Sequence, residues 1–238
     1  MKIYIPSYNR ANQVLSAEYF KGLDYRIVIP EKQYKDYLQY HDRKELLVIP
    51  DNRDGNVSKK RNAILDVMKE EEGFGIVADD DILYVAHVMT GEKLDGKRVA
   101  NLFENMFVIC EGIGAYFCGL NNSNDKLKYR GDMHPFSLTK SFYQLVGIIE
   151  SGIRYDETLV RGEDIDFYLK QMHKYHKVVR DNRYFVCVNE KNKDTGIGID
   201  DKGRINDFKR LQKRWGSRLI RLNDDGTVKG VSHPYKGV

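Results

Sequence analysis

The sequence predicts an α/β protein built on a doubly wound, mostly parallel sheet flanked by helices. Three short apolar segments, 26–30, 46–50 and 73–78, are each stopped by proline or by acidic residues. Continuous apolar runs of this length suit strands that are covered on both faces, as in parallel sheets. The segments between them have helical character, and strands that alternate with helices indicate crossover connections.

The first half of the chain supplies the clearest elements. Strands are expected at 1–6, 26–30, 46–50 and 73–78, and helices at 9–20 and 31–40. One further helix has apolar side chains at helical spacing. Its apolar face is expected to carry Val57, Ile64, Leu65 and Met68, and its other faces Lys59, Lys60 and Asp66.

Strands and helices alternate less regularly in the second half of the chain. Strands are expected at 116–120, 136–139, 178–179 and 184–188, and helices at 165–175 and 205–215. The polar, glycine-containing segment 189–204 predicts a long mobile loop, and such loops often have a function. No repeat separates the two parts, so we expect a single domain with halves 1–112 and 113–238, the second ending in a C-terminal tail.

Composition restricts the class of protein. The chain has 238 residues, 41% of them hydrophobic, which is enough for a core and excludes a disordered chain. Its 39 basic and 35 acidic residues give a net charge of +4. No apolar segment approaches the roughly 18–20 residues that cross a bilayer, and no secretory signal pattern opens the chain. With three cysteines that form no C-x-x-C pair, we expect a cytoplasmic protein without a membrane partner.

Three consecutive carboxylates, Asp79, Asp80 and Asp81, end the fourth predicted strand. Ligands of open α/β sheets bind at the carboxyl ends of strands, and three like charges in a row repel one another. A divalent cation such as Mn²⁺ or Mg²⁺ would remove this repulsion and leave room for phosphate oxygens. We therefore interpret the triplet as a metal and nucleotide site rather than an acidic surface turn.

A second candidate segment follows the first strand and consists of Pro6, Ser7, Tyr8, Asn9 and Arg10. Ser7 or Asn9 can cap the next helix, whose free N–H groups favour anions. Tyr8 offers a flat face to a base, and Arg10 offers paired donors to a phosphate. Alone, the segment fits an ordinary capped turn between a strand and a helix equally well.

Two charged runs adjoin predicted helices. The run from Lys59 to Asn62 is typical of a solvated basic face, although a parallel crossover would start this helix at the sheet edge that carries the aspartates. Glu163 and Asp164 open the helix at 165–175, where the helix dipole would keep them ionised and one could act as a general base. Simple capping by acidic residues is the alternative.

His233 is a candidate third metal ligand, because two aspartates leave a metal site short of protein ligands and neutral imidazole binds metals well. An exposed histidine in a tail is the alternative. The chain contains no phosphate-loop, dinucleotide-binding or nucleophile-elbow motif. Those absences argue against P-loop nucleotidases, nicotinamide-dependent enzymes and α/β-hydrolases.

Taken in order, these segments resemble the GT-A fold of nucleotide-sugar-dependent glycosyltransferases. In that family the first strand ends in a Pro-(Ser/Thr)-Tyr-Asn-Arg-like segment, a helix carries Arg-Asn, a strand ends in Asp-x-Asp, and a later Glu-Asp supplies the base of inverting members. The corresponding residues are Pro6 to Arg10, Arg61 and Asn62, Asp79 to Asp81, and Glu163 and Asp164. The Gln-x-x-Arg-Trp motif of processive synthases is absent, since Gln212-Lys213-Arg214-Trp215 has one intervening residue too few.

The resemblance implies a UDP-sugar donor and a bound Mn²⁺ or Mg²⁺. The nucleotide sugar would be bound by Pro6, Ser7, Tyr8, Asn9, Arg10, Arg61, Asn62, Asp79, Asp80 and Lys236. The metal would be held by Asp79, Asp81 and His233. Asp164 would act as the general base and Glu163 would orient the acceptor, with loop 189–204 closing over the donor.

A narrower resemblance is to compact GT-A enzymes encoded near thymine and cytosine oxygenases, including bacteriophage enzymes that glycosylate hydroxymethylated pyrimidines in DNA. It lies in the opening segment 5–10, the loop segment 195–198 and the tail segment 232–235. It implies a DNA acceptor, and basic clusters that bind phosphate backbones agree with one. These clusters are Lys209, Arg210, Lys213, Arg214, Arg218 and Arg221, and Lys126, Lys128 and Arg130.

Three other interpretations remain open, together with the identity of the sugar and the oligomeric state. The nearest is a GT-A glycosyltransferase with a protein or glycan acceptor. A sugar nucleotidyltransferase has a related fold but opens with a Gly-rich basic segment, which residues 6–9 do not supply. A non-enzymatic nucleic-acid-binding protein explains the basic clusters and leaves the aspartate triplet unexplained.

Overall fold

A central β-sheet runs through the chain as far as residue 188. The computed structural model describes residues 1–127, 129–189, 201–233 and 235. The central strands are β1 (Ile3–Pro6), β2 (Tyr25–Pro30), β3 (Leu46–Ile49), β4 (Phe74–Ala78), β5 (Ile82–His87), β6 (Lys93–Leu94), β7 (Phe117–Asn121), β8 (Phe136–Ser137), β9 (Leu145–Ile149) and β10 (Val179–Val188). The helices are α1 (Leu15–Tyr19), α2 (Tyr34–Tyr37), α3 (Val57–Glu70), α4 (Gly96–Ile113), α5 (Glu163–Tyr175) and α6 (Asp201–Trp215). A separate hairpin pairs β11 (Ile220–Leu222) with β12 (Val228–Val231).

The strand order is β3-β2-β1-β4-β9-β7-β10-β5-β6, with β8 beside β10. Strands β1 to β4 pair in parallel, as their apolar runs predict. Strand β9 lies antiparallel between β4 and β7, so the second half of the chain continues the same sheet. The predicted α/β class, with a large central sheet flanked by helices, is confirmed; the antiparallel pairs are concentrated beyond β4.

Two apolar layers cover the sheet. Because side chains alternate along a strand, Ile3 and Ile5 of β1 enter one layer and Tyr4 enters the other. Helix α4 packs in the first layer, and α3 and α5 pack in the second. With both faces covered, the carboxyl edge of the parallel strands is where polar side chains can gather.

Helix α3 brings its first turn to that edge. Asn56 caps the helix, since its side-chain oxygen accepts the Lys59 N–H at 2.9 Å. Of the four residues predicted on its apolar face, Ile64, Leu65 and Met68 are buried, whereas Val57 is half-buried. The helix connects the parallel strands β3 and β4, so it begins beside the carboxyl ends of β1 and β4.

Several predicted elements differ in extent from the structure. The helix expected at 9–20 is restricted to α1, because the chain first turns through Asn9, whose φ of 55° is left-handed. The helix expected at 31–40 is a 3₁₀ turn, Glu31–Gln33, followed by the short α2. The two segments expected near 178–188 form the single strand β10.

Six of the labelled elements are additional to the predicted ones: helix α4 and strands β5, β6, β9, β11 and β12. Helix α4 buries Val99, Phe103, Met106 and Cys110, a helical period that is visible in the sequence. Of the expected loop 189–204, residues 190–200 lie outside the described residues, and 201–204 belong to α6. In the described part of the chain, no helix combines the length and apolar character needed to cross a membrane.

Candidate active site

A polar cleft of about 230 Å³ lies at the carboxyl ends of β1 and β4. Its walls come from the turn after β1, the start of α3, the aspartate triplet and the segment that leads into α5. The lining residues are Pro6, Ser7, Tyr8, Arg10, Asn56, Val57, Lys60, Arg61, Asp79, Asp80, Asp81, Val160, Arg161 and Glu163. This is the edge of the sheet at which the sequence predicts that a ligand binds.

Asp80 ties the triplet to the turn after β1. Ser7 Oγ donates to Asp80 Oδ2 at 2.7 Å, and Arg10 Nη1 pairs with Asp80 Oδ1 at 2.6 Å. Tyr37 donates in turn to Ser7 Oγ at 2.8 Å. Burial raises the pKa of Asp80, and Arg10 and Ser7 oppose the rise. Both oxygens of Asp80 are thus engaged by the protein, which fixes the shape of the cleft.

Arg61 joins the end of β4 to the start of α5. Its Nη2 pairs with Asp79 Oδ1 at 2.8 Å, and its Nη1 pairs with Glu163 Oε1 at 2.9 Å. The guanidinium also lies over the Tyr155 ring, with 5.5 Å between Cζ and the ring centroid. Burial alone would lower the pKa of Arg61, but Asp79, Tyr155 and Glu163 raise it above its usual range. Arg61 therefore remains a cation that holds two carboxylates in place.

Among the described residues, Asp81 is the member of the triplet that has no basic partner. Its neighbours in the triplet pair with Arg61 and Arg10, whereas no ion pair reaches Asp81 from any residue that the structure describes. Burial, together with the charges of Asp79 and Asp80, raises the pKa of Asp81 to about 6. A cation bound beside this carboxylate would favour its charged form.

The carboxylates fit a divalent cation that also binds substrate phosphates. Mg²⁺ in proteins commonly takes one or two carboxylates and completes its shell with water and phosphate oxygens. Asp81 offers an unpaired carboxylate, and Asp79 shares its charge with Arg61. Within the described ranges, no three His, Cys, Asp or Glu side chains are grouped so that they could hold a metal ion.

Within the described residues His233 is not grouped with Asp79 and Asp81, so its role as a third metal ligand stays a prediction. The tail follows a different path. Two residues beyond His233, the ring of Tyr235 lies 4.7 Å from the ring of His176. That contact is at the C-terminal end of α5, whereas the cleft is at its N-terminal end.

Lys60 is buried beneath the turn after β1, which corrects the expectation of a solvated face. Its Nζ donates to the Ser7 carbonyl at 2.5 Å and lies 3.3 Å from Asp54. The same atom is 5.3 Å from the centroid of the Tyr8 ring. Burial lowers the pKa of Lys60, and the charge of Asp54 opposes this effect. The sequence contains an indication of this burial, since Lys60 lies one helical turn before the core residue Ile64 and therefore on the same face of the helix.

Glycine is required immediately before α5. Gly162 has a φ of +76°, and a Cβ at this position would lie 2.6 Å from Leu211 Cδ1 of α6. The glycine lets α6 pack closely against the segment that carries the acidic pair. The sequence motif at 161–164 thus depends on a helix about fifty residues away.

Glu163 and Asp164 occupy the first turn of α5. Burial raises the pKa of both carboxyls, and Arg61 opposes the rise. A raised pKa is opposite in direction to the helix-dipole effect that the sequence predicts. Glu163 lines the cleft, whereas Asp164 lies beside the lining residues and accepts the Ile165 N–H at 2.7 Å.

Two asparagines expected to bind the donor make hydrogen bonds within the protein, and their role at the donor stays a prediction. Asn62 Nδ2 donates to the Tyr155 carbonyl at 3.1 Å, and its Oδ1 accepts the Tyr155 N–H at 2.8 Å. Asn9 exchanges hydrogen bonds with the side chain of Gln33. Neither lines the cleft. Lys236, also expected at the donor, lies outside the described residues.

The larger basic cluster lies on α6 and the residues that follow it. Arg210 and Arg214 pair with Asp207, Asp156 and Asp166. The remaining members are exposed and have no acidic partner in the described part of the chain; they are Lys209, Lys213, Arg218 and Arg221. In the smaller cluster, Arg130 pairs with Asp132 and Lys128 is outside the described residues.

Comparison with solved structures gives matches of low sequence identity. Residues 1–349 of S. aureus TarS are 11% identical with a TM-score of 0.48, over 89% of this chain and 65% of that one. The same segment in complex with UDP is 12% identical with a TM-score of 0.47, over 94% and 75%. A protein from Desulfovibrio desulfuricans G20, described as a nucleotide-diphospho-sugar transferase, is 7% identical with a TM-score of 0.45, over 90% and 97%. The chain thus spans 65% of the TarS segment and 39% of the longer TarS chain.

Comparison with protein families is more specific. No curated protein matches the chain. The family model of the TET-associated glycosyltransferases matches residues 1–197, which include the turn after β1, the aspartate triplet and the acidic pair of α5. Since the match covers most of the 238 residues, the chain belongs to the TET-associated glycosyltransferase family.

Proposed function

We propose that this chain is a metal-dependent glycosyltransferase that transfers a sugar from a UDP-sugar to an acceptor hydroxyl with inversion. One observation carries the proposal. The cleft at the carboxyl ends of β1 and β4 is lined by Asp81, which has no ion pair among the described residues, and by the buried Glu163, with Asp164 beside the lining at the start of α5. Family membership supports glycosyl transfer, and the cleft supplies a place for donor, cation and base.

The donor nucleotide would lie against the turn after β1. Tyr8 is half-buried and presents an aromatic face, and Pro6 and Ser7 form the wall beside it. Asp79 is suited to a ribose hydroxyl, because its charge is already balanced by Arg61. Arg10 and Arg61 place positive charge near the diphosphate.

The protein ligands of the cation would be Asp81 and Asp79. When bound, a divalent cation supplies Lewis-acid stabilisation of the charge that grows on the leaving diphosphate. The two carboxylates leave open positions for phosphate oxygens and water, as Mg²⁺ and Mn²⁺ require in such sites.

Asp164 would remove the proton of the acceptor hydroxyl. The acceptor oxygen then forms a bond to the anomeric carbon while the bond from that carbon to the UDP oxygen breaks on the opposite face. Burial raises the pKa of Asp164, which brings its basicity closer to that needed near neutral pH. Glu163 is held by Arg61 and is suited to orient the acceptor.

The proposed acceptor is a hydroxymethylated pyrimidine in DNA. The exposed basic side chains of α6 and the residues after it agree with contacts to a phosphate backbone. The helix packs directly on the segment before α5, so a duplex on its outer face would lie beside the cleft. The family name also associates these enzymes with TET proteins.

The test is a transfer assay with mass detection of products. The chain is incubated with Mn²⁺ and a panel of UDP-sugars, with hydroxymethylated DNA, unmodified DNA, and protein or glycan acceptors. We expect free UDP and a hexose mass on hydroxymethylated DNA alone. Transfer to a protein or glycan would replace the proposed acceptor, release of pyrophosphate would indicate a nucleotidyltransferase, and the absence of any sugar transfer would refute the proposal.

A further inference from the structure

Helix α6 has two different faces. Side chains at 207, 208, 210, 211, 214 and 215 contact the segment 156–162 or α5, and this spacing marks one side of a helix. Lys209 and Lys213 lie between these positions and are exposed. The helix begins at Asp201, beyond residues 1–197 that the family model matches. Part of the cleft is therefore held in place by a segment outside the family match.

Asp207 makes the central contact of this face. It is nearly buried, and its Oδ2 accepts the backbone N–H groups of Val160 at 2.9 Å and Arg161 at 3.1 Å. Its Oδ1 accepts from Arg210 Nη1 at 3.0 Å. Arg210 also donates to the carbonyl of Thr158 at 3.1 Å and to its hydroxyl at 2.7 Å. One carboxylate thus fixes the backbone at the two lining residues that precede the acidic pair.

Arg161 has no ion pair with any acidic side chain in the part of the chain that the structure describes. Among its lining residues, Arg10 pairs with Asp80, and Arg61 pairs with Asp79 and Glu163. Lys60 pairs with Asp54 behind the cleft. Arg161 lines the cleft, is exposed, and has no acidic side chain within ion-pair distance in the described residues. An unpaired guanidinium offers two parallel donors to a phosphate.

We propose that Arg161 binds the diphosphate of the nucleotide-sugar donor and that Asp207 is its positioning residue. This inference rests on the proposed function, because it assigns the donor to the same cleft. Asp81 and Arg161 are the unpaired carboxylate and the unpaired cation of the described lining, and a cation–diphosphate complex satisfies both. The carboxylate of Asp207 sets the backbone from which Arg161 reaches the donor.

The binding role is tested by calorimetry with Mn²⁺ present and with UDP, uridine and inorganic pyrophosphate as separate probes. Arg161→Gln should weaken UDP and pyrophosphate binding roughly tenfold or more, the loss of one charge-assisted hydrogen bond, and leave uridine binding unchanged. Arg161→Lys should recover part of the affinity. Arg43→Gln, which removes an exposed arginine that does not line the cleft, is the matched control and should bind all three probes like the wild type.

The positioning role is tested by amide hydrogen exchange, which does not depend on activity. Asp207→Ala should speed exchange at the Val160 and Arg161 amides and lower UDP affinity, while Asp207→Asn, which keeps one acceptor oxygen, should fall between Ala and wild type. Asp224→Ala, an exposed aspartate of the β11–β12 turn, is the control. Unchanged exchange at both amides in Asp207→Ala would overturn the positioning role.

The outcomes separate this inference from the proposed function. If the wild type binds UDP and Arg161→Gln binds it equally well, the inference fails and the proposed function stands. If Arg161→Gln weakens uridine and UDP alike, the arginine acts through the fold and the inference also fails. If the wild type binds no UDP, the proposed function fails, and the inference, which rests on it, fails with it.

Discussion

Replacing Asp81 with asparagine should make the metal-free protein more stable at neutral pH. Burial and two neighbouring carboxylates raise the pKa of Asp81 from 3.8 to about 6. One pKa unit corresponds to about 1.4 kcal/mol, so ionised Asp81 costs the fold at most about 3 kcal/mol. The side chain is partly exposed, and screening by solvent reduces this figure to about 1–2 kcal/mol. Asparagine is nearly isosteric and removes the charge.

The sign of the effect fixes its pH dependence. The folded state holds the Asp81 proton up to about pH 6, whereas the unfolded chain releases it near pH 3.8, so ionisation destabilises the fold as pH rises between these values. The advantage of Asp81→Asn should therefore be absent near pH 4 and complete near pH 7. Urea unfolding of both proteins at a series of pH values measures it, with the exposed Asp36→Asn as control.

Addition of Mn²⁺ and a UDP-sugar should make the wild type more stable than Asp81→Asn. A ligand present at a hundred times its dissociation constant stabilises a protein by about 2.7 kcal/mol. The wild type should gain this stabilisation and Asp81→Asn should not, because the variant lacks the unpaired carboxylate. An Asp81→Asn protein that is less stable than wild type without metal at pH 7, or that gains as much from Mn²⁺ and donor, would refute the assignment.

Three further outcomes are expected. Arg61→Met should lower the free energy of unfolding in urea by about 3–5 kcal/mol, because two carboxylates remain without their cation. Arg98→Met, which breaks an exposed pair, should lower it by less than about 1 kcal/mol. Equal losses would contradict the role of the buried pair. Asp164→Asn should bind UDP normally and transfer sugar about 10²–10⁴-fold more slowly; near wild-type turnover would remove it as the base. Lys213→Ala should reduce by about one the slope of the logarithm of the DNA-binding constant against the logarithm of the salt concentration. Lys69→Ala on α3 should leave this slope unchanged. Identical slopes for the two variants would exclude α6 from the DNA surface.

Local sequence patterns were sufficient to predict the parallel strands and the place of the cleft. Apolar runs stopped by proline or acidic residues correspond to β1 to β4, and the rule that ligands bind at carboxyl ends locates the cleft. Nearby motif residues such as Tyr8 and Asp81 line it, and their roles there stay predictions. These predictions need only the chemistry of neighbours in the chain, which a single sequence contains.

Partnerships across the fold are not contained in those patterns. Arg61 meets Glu163, 102 positions away, and Asp207 meets the Arg161 amide, 46 positions away. A basic run such as 59–62 is also ambiguous, because the length of a lysine side chain lets its ammonium reach a buried carboxylate while its stem packs in a core. The ammonium of Lys60 reaches a buried carboxylate in this way, because the fold places Asp54 beside it.

The charges of the cleft are better explained by a ligand than by the stability of the fold. Apolar side chains of similar volume often stabilise a protein as well as, or better than, a buried ion pair does. The ion pairs among the lining residues also leave two charges unmatched, since Asp81 and Arg161 have no partner in the described lining. A set of charges selected only for the fold would have no reason to leave one residue of each sign open in the same cleft. A diphosphate with its cation would satisfy both, so the energetic cost of the cleft and its proposed chemistry would have the same cause.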